Sequence, residues 1–437
     1  MAKIPAFKKT VLDNGMTLLS ERLTGYRSLS LGIWVKVGTR HEQKPLEGAS
    51  HFLEHMLFKG TKTRSALQLA REIDQAGGEF NAFTAREYTC FHILLLERDC
   101  GLGLEILSDV LLNSTFKAEE FERERKVILQ EISMVEEAPE ELAYDLFFER
   151  IYGTQGLGKP ILGTRKSIVG MKRDGVVDFF QKYYRPDQII LSVAGDVSQS
   201  KIQKQIQALS RPQWPKRPRA KAGLAGSWFT GDLTPSPEFH HGLWWVERPT
   251  EQVHLVWGVP GPHYASKDRF AAFLLNVYLG GGMSSSLFQE IREKNGLAYS
   301  VYSSLCPFTD SGVFSIYAAT GMTQIPLCLK LIEECVAKMK KKSLPKKELQ
   351  MIKDNFKGTV LLSSDSVESR MSSIAKNEIF LGRHFTVEDV CRQIDAVTSE
   401  DIQRVAGQLF QTSKRSILAL GPRPSRAVQS KLGWELG

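Results

Sequence analysis

His51, Glu54 and His55 stand together in the run His51-Phe-Leu-Glu54-His55. On a helix, at ~100° per residue, these three side chains fall within roughly a 100° arc of one face. Two imidazoles one turn apart can hold one divalent metal such as zinc, and the carboxylate between them is placed to accept a proton from a water activated there. That is the reacting end of a hydrolase. The order H-x-x-E-H inverts the commoner H-E-x-x-H of zinc peptidases. The pattern is short, and a helix with two satisfied core histidines and one solvated glutamate would read the same way. The neighbours weigh against that plain reading. Phe52, Leu53, Met56, Leu57 and Phe58 make the segment apolar nearly all round, so the helix is expected to be buried, and three polar side chains there need partners. A metal ion supplies them.

A third protein ligand has to come from another element. The segment from Lys117 to Glu137 is rich in acids, and Phe121, Ile128, Ile132 and Val135 form the apolar stripe of a helix. Glu119, Glu122, Glu136 and Glu137 project from the opposite side, as a solvated charge run does. Glu124 and Glu131, one heptad apart, fall inside the apolar arc. A carboxylate there is costly unless it is paired or bound to metal, so one is a ligand candidate and the other its supporting partner. Periodicity alone does not say which is which. Further along, Phe80-Asn81-Ala82-Phe83-Thr84 precedes the apolar strand Cys90 to Leu96. It can form an edge strand, which recognises an extended peptide through main-chain hydrogen bonds.

These elements recur. In the first half, Leu29 to Val37 leads to the metal helix and then to Arg71 through Asn81. In the second, Gln252 to Val259 leads to Ala272-Phe-Leu-Leu-Asn276 and then to Gln289 through Tyr299. Superposing the two puts Ala272, Leu275 and Asn276 where His51, Glu54 and His55 stand, so the second copy lacks the metal site. Each copy closes on a short apolar strand, Ile189 to Ala194 and Ile417 to Leu420. The pattern implies an α+β fold of two homologous domains, each an antiparallel sheet with helices packed on one face. Residues 1–210 form the zinc-binding catalytic domain, 238–437 the homologous domain without metal, and 211–237, rich in proline, glycine and basic residues, the linker.

Composition agrees. A chain of 437 residues, 42% hydrophobic, suffices for two domains of about 200 residues with separate cores. It contains no apolar run near the ~20 residues of a membrane span and no secretory signal, which points to the cytoplasm or, for a mature eukaryotic form, the mitochondrial matrix. Its six cysteines follow no framework spacing and read as reduced. The net charge of +8 is spread along the chain, without the clustering a nucleic-acid partner requires. Neither a nucleic acid nor a membrane is expected as partner.

The stretch Gly48-Ala-Ser-His51-Phe-Leu-Glu54-His55-Met-Leu-Phe-Lys-Gly60-Thr61 resembles the metal motif of the insulinase and mitochondrial processing peptidase family of zinc metallopeptidases. The run from Gly280 through Arg292 to Tyr299 resembles the family's second half, and the likeness extends from Thr10 to about Gly421. The resemblance implies one zinc per chain on His51, His55 and Glu131, with Glu54 as general base and Glu124 supporting the site. It implies that Asn81, Ala82 and Phe83 bind the substrate. Arg292 and Tyr299 match a pair that reaches toward the scissile peptide; without the resemblance, Arg292 reads as a solvated helix residue. The expected function is a zinc endopeptidase acting on unfolded or short peptides enclosed between two halves of a hinged clamshell. The size fits family members that work as pairs of such chains, so a homodimer or a heterodimer with a related subunit is expected. A catalytically silent assembly subunit and a processing subunit inactive without its partner are the rival readings.

Overall fold

The computed structural model describes residues 6–154, 156–210, 238–424 and 426–432. The linker expected over 211–237 lies outside the described residues. The described chain divides into two compact units, one built from 6–133, 156–210 and 362–385, the other from 134–154, 238–361 and 386–432. Each unit takes one segment from the opposite half of the sequence.

The first unit holds a six-stranded sheet of β1 (Ala6–Val11), β2 (Thr17–Arg22), β3 (Ser28–Val35), β4 (Glu79–Thr84), β5 (Thr89–Leu96) and β6 (Ile189–Gly195). Its order is β1-β2-β6-β3-β5-β4, which leaves β4 at an edge. Side chains alternate across a strand, and β3 turns Leu29, Leu31, Ile33 and Val35 into one core while Trp34 enters another on the opposite face. The first core receives the helices Ala49–Leu57, Cys100–Asn113 and Ala118–Glu137. The opposite face is covered by the helix Val367–Leu381, through Met371, Ile374 and Ala375. Polar contacts fix that helix. Trp34 Nε1 lies 3.3 Å from Met371 Sδ, Arg370 Nε donates to Glu21 Oε2 at 2.8 Å, and Lys9 pairs with Glu378 at 2.6 Å.

The second unit's sheet contains β7 (Leu243–Glu247), β8 (Val253–Pro260), β9 (Ala298–Pro307), β10 (Gly312–Thr320) and β11 (Ser416–Gly421), in the order β7-β11-β8-β10-β9. Position for position this is the first sheet without β1, as the internal repeat requires. The helix Arg269–Gly280 follows β8 as the metal helix follows β3, with Ala272 and Leu275 buried. The outer face is covered by the helix Pro139–Tyr152. Phe147 of that helix fills the space above Gly258, where an added Cβ would meet its ring at 2.5 Å. Tyr302 donates to Glu140 at 2.7 Å, and Tyr144 stacks on Tyr317 with centroids 6.0 Å apart.

The α+β architecture of two homologous domains stands, and two details differ from the expectation. Each sheet is mixed, because β2 pairs β6 in parallel and β7 pairs β11 in parallel. A parallel neighbour needs a crossover of a dozen residues or more, and the strands β3, β4 and β5 with their helices all lie between β2 and β6. Helices also lie on both faces of each sheet. A strand buried throughout, as β6 is, requires cover on both sides.

Candidate metal centre

The metal helix is set by its N-terminus. Gly48 takes a left-handed conformation, φ 92°, and a Cβ there would meet the carbonyl oxygen of Leu162 at 2.8 Å. The buried carboxylate of Glu42 accepts from Gly48 N at 2.7 Å and Ser50 N at 2.8 Å, satisfying donors that a helix leaves unpaired. Lys159 Nζ in turn donates to the main-chain carbonyl of Glu42. Phe52, Leu53, Met56 and Leu57 are buried, and Phe52 stacks on Phe121 with centroids 4.3 Å apart. That stack sets the helix Ala118–Glu137 opposite the face bearing His51, Glu54 and His55.

His51, His55 and Glu131 each offer one ligand atom, and the three atoms lie within 4.8 Å of one another. Glu131 Oε2 is 3.4 Å from His55 Nε2 and 3.7 Å from His51 Nε2. It is buried and makes no hydrogen bond of normal geometry. Two imidazole nitrogens and a carboxylate oxygen converging around an unsatisfied buried atom fit a zinc ion, whose catalytic sites keep three protein ligands and one open position. Glu124 stands one layer out. Its Oε2 is 3.0 Å from His55 Nδ1 and its Oε1 is 2.8 Å from Lys59 Nζ, so it orients the ring and leaves Nε2 for the metal. The heptad-related acids therefore divide into an inner Glu131 and an outer Glu124.

Electrostatics follow the same geometry. Burial, aided by the neighbouring His55, lowers His51 to about 4, which keeps it neutral, the form in which an imidazole can bind a metal. Burial works against charge on His55 as well, but the hydrogen bond with Glu124 and the nearby carboxylate of Glu131 outweigh it and raise the group to about 9. A cation bound there would take the place of that proton. Glu131 is held below the ordinary carboxylate range by its contact with His55. Glu124 lies below that range too: burial opposes the shift, and His55 and Lys59 overcome it. Glu54 moves the other way. Burial raises it, although Thr84 and His55 pull it down.

Thr84 also belongs to the site, although its place in the sequence does not mark it. Its Oγ1 donates to Glu54 Oε2 at 2.6 Å. It ends β4, so the expected peptide-binding edge runs directly to the carboxylate. Asn81 and Ala82 lie on that edge strand, and Ala82 N donates to Asn81 Oδ1 at 2.8 Å. Phe83 points to the other face, where its ring lies 5.6 Å from Trp34 and 6.2 Å from Tyr88. In the second unit, Arg292 Nη1 donates to Tyr299 O at 2.8 Å and its guanidinium lies 4.5 Å from the Tyr299 ring centre. Tyr299 is 77% exposed, so this pair is formed and accessible.

Residues 17–165 match the family described as Insulinase (Peptidase family M16), and residues 170–356 match the family described as Peptidase M16 inactive domain. An uncharacterized zinc protease of Bacillus subtilis is 38% identical over 92% of this chain and 95% of its own length. One from Streptomyces coelicolor is 36% identical over 97% of this chain and 90% of its own. Among solved structures, a protease from Helicobacter pylori superposes with a TM-score of 0.87 at 24% identity, over 96% of this chain and 100% of that one. At that identity the superposition speaks for the fold.

Proposed function

The chain belongs to the insulinase family of zinc metallopeptidases, peptidase family M16, and from that membership we propose that it is an endopeptidase cleaving extended or short peptides with Glu54 as general base. Zinc-dependent peptidase activity is the general property, and the convergence of His51, His55 and Glu131 on one point carries it. When bound there, zinc supplies a Lewis acid that polarises a carbonyl and lowers the pKa of water. The chain's own residues do the rest. Glu54 accepts a proton from the attacking water and returns it to the leaving amide nitrogen. Glu124 and Lys59 hold His55 in orientation. The free edge of β4, with Asn81, Ala82 and Phe83, offers main-chain groups to an extended peptide.

Arg292 and Tyr299 complete the proposal by donating hydrogen bonds to the substrate carbonyl and the developing oxyanion, with the peptide enclosed between the two domains. Their exposure and mutual contact support this, and the family resemblance suggests it. Tyr299→Phe is expected to lower turnover with zinc content unchanged, and a silent variant removes the pair from the reaction.

Metal analysis with activity tests the core of the reading. Glu54→Gln is expected to keep about one zinc per chain and lose activity by roughly 10²-fold or more, because an amide cannot accept the proton. Glu131→Ala and His51→Ala should lose the metal. Zinc missing from Glu54→Gln but complete in Glu131→Ala would overturn these roles. Substrate class is tested by pairing a disordered peptide with a tightly folded protein. The peptide alone should be cut, since edge pairing needs accessible backbone.

No helix among the described residues is long and apolar enough to cross a membrane. We infer a cytoplasmic enzyme, or a matrix one if the chain is a mature eukaryotic form, and cell fractionation decides between them. A dimer with a second copy or a related subunit is the expected assembly. The complete ligand and base set disfavours a silent assembly subunit, and assaying the purified chain alone distinguishes an independent enzyme from one that needs a partner.

A further inference from the structure

The alternation of β4 divides its residues between two tasks. Phe80, Ala82 and Thr84 face the metal helix: the Phe80 ring lies 4.5 Å from that of Phe58, Ala82 packs against the core, and Thr84 reaches Glu54. Phe83 faces the opposite way. The neighbouring His55 turns its Nδ1 to Glu124. Thr84 Oγ1 at 2.6 Å from Oε2 is the hydrogen-bond donor that Glu54 has among the described residues.

The donor stands on a rigid base. Thr84 pairs with Thr89 across the β4–β5 hairpin, and Thr89 Oγ1 donates to Val37 O at 2.9 Å. Ala85 N donates to Tyr88 O at 2.8 Å to close the turn, and Arg40 N donates to Arg86 O at 2.9 Å. A fully buried pair, Arg40 with Glu87 at 2.7 Å, lies under the turn. A glutamate side chain has three torsions to fix before one oxygen can meet a reacting water, and ordering them in advance raises the rate without tightening substrate binding.

We propose that Thr84 is a positioning residue for the general base: its hydroxyl holds Oε2 of Glu54 and leaves Oε1 as the oxygen that accepts the proton. The inference rests on the reading of Glu54 as base. The threonine keeps its own proton throughout, while the proton moved travels from water to Oε1 and then to the leaving nitrogen. Because Thr84 ends the strand whose free edge would pair with a peptide, the same strand sets both the register of the substrate and the direction of the base.

Zinc-loaded wild type, Thr84→Val, Thr84→Ser, Glu54→Gln and the double variant Glu54→Gln/Thr84→Val test this on one fluorogenic peptide, with zinc content measured for each. Thr84→Val is expected to lower kcat about 10- to 100-fold, the scale of one hydrogen bond to a charged group, with KM within about twofold and zinc unchanged. Thr84→Ser, which keeps the hydroxyl, should restore most of the rate. In the Glu54→Gln background the Thr84 change should leave the residual rate unaltered, and both of those variants should bind a labelled peptide with the same Kd. The proposal is overturned if Thr84→Val has wild-type kcat, if Thr84→Ser loses as much as Thr84→Val, or if the Thr84 change costs the same factor without Glu54. An active Glu54→Gln enzyme is a different failure, that of the base itself.

Discussion

Glu124 would act on a metal held by His51, His55 and Glu131 at one remove, through His55 Nδ1 at 3.0 Å and with Lys59 Nζ at 2.8 Å on its other oxygen. Outer partners of this kind fix the tautomer and raise the basicity of the ligand. Glu124→Gln is therefore expected to weaken zinc binding by about 10- to 100-fold while the fold persists, as read by competition against a zinc chelator. Zinc affinity equal to wild type would reduce Glu124 to a partner of Lys59. At this scale much was legible in the sequence. The heptad spacing of Glu124 and Glu131 put both on the apolar arc, but their division into outer and inner depends on how far the facing helix stands, which no periodicity states. Lys59 is legible only as a spacing. It follows His55 by four residues, a spacing that shares a face on a helix, although the metal helix itself ends at Leu57. Thr84 had only its parity with Ala82 along the strand, and nothing in a hydroxyl marks the carboxylate it will meet.

At the scale of elements, the metal helix is held by a residue outside it. Glu42 accepts from the amides of Gly48 and Ser50, and the helix has no side-chain cap at its own first position. No capping pattern read from sequence reaches six residues upstream, so this support was invisible beforehand. Burial raises Glu42 from its ordinary 4.5 to about 7, against the pull of the two amides. The folded protein thus keeps a proton in a range where the unfolded chain has released it. A proton held more tightly by the folded state means that the contribution of Glu42 to stability is greatest below about 4.5 and declines as the pH rises to about 7. The Tm of wild type minus that of Glu42→Gln is expected to fall over that interval and then level off. A difference that grows instead would show that the carboxylate, once ionised, is the better-accommodated form. The strands themselves were readable, since β3, β5, β6, β8 and β11 all fall on apolar runs found in the sequence. Their mixed pairing was not, because parallel order is set by where a long crossover returns.

On the scale of the whole molecule, the boundary between halves of the sequence is not the boundary between units. Residues 134–154 belong with the second sheet and 362–385 with the first. A fragment of residues 1–210 would lack the helix Val367–Leu381, leaving Leu19, Trp34, Cys90 and Ile190 without their cover. It would also leave Glu21, 1% exposed in its side chain, without Arg370, a loss of the order of 3–5 kcal/mol for a buried pair broken on one side. Such a fragment is expected to aggregate or bind hydrophobic dyes, and adding a peptide spanning 362–385 should reduce both; a monomeric fragment with a sharp thermal transition would contradict this. The same exchange bears on how the protein is made. The strands of the first sheet have all left the ribosome once Gly195 has emerged, yet one face stays bare until the chain has grown past Leu381. At ~5–20 residues per second that wait lasts roughly 10–40 s. Throughout it the helix Pro139–Tyr152 is also waiting, with Phe147 made long before the strand bearing Gly258. Nascent chains arrested before Val367 should accordingly be held by chaperones that release chains arrested well after Leu381, so that the last quarter of translation determines when the unit bearing His51, His55 and Glu131 can finish folding.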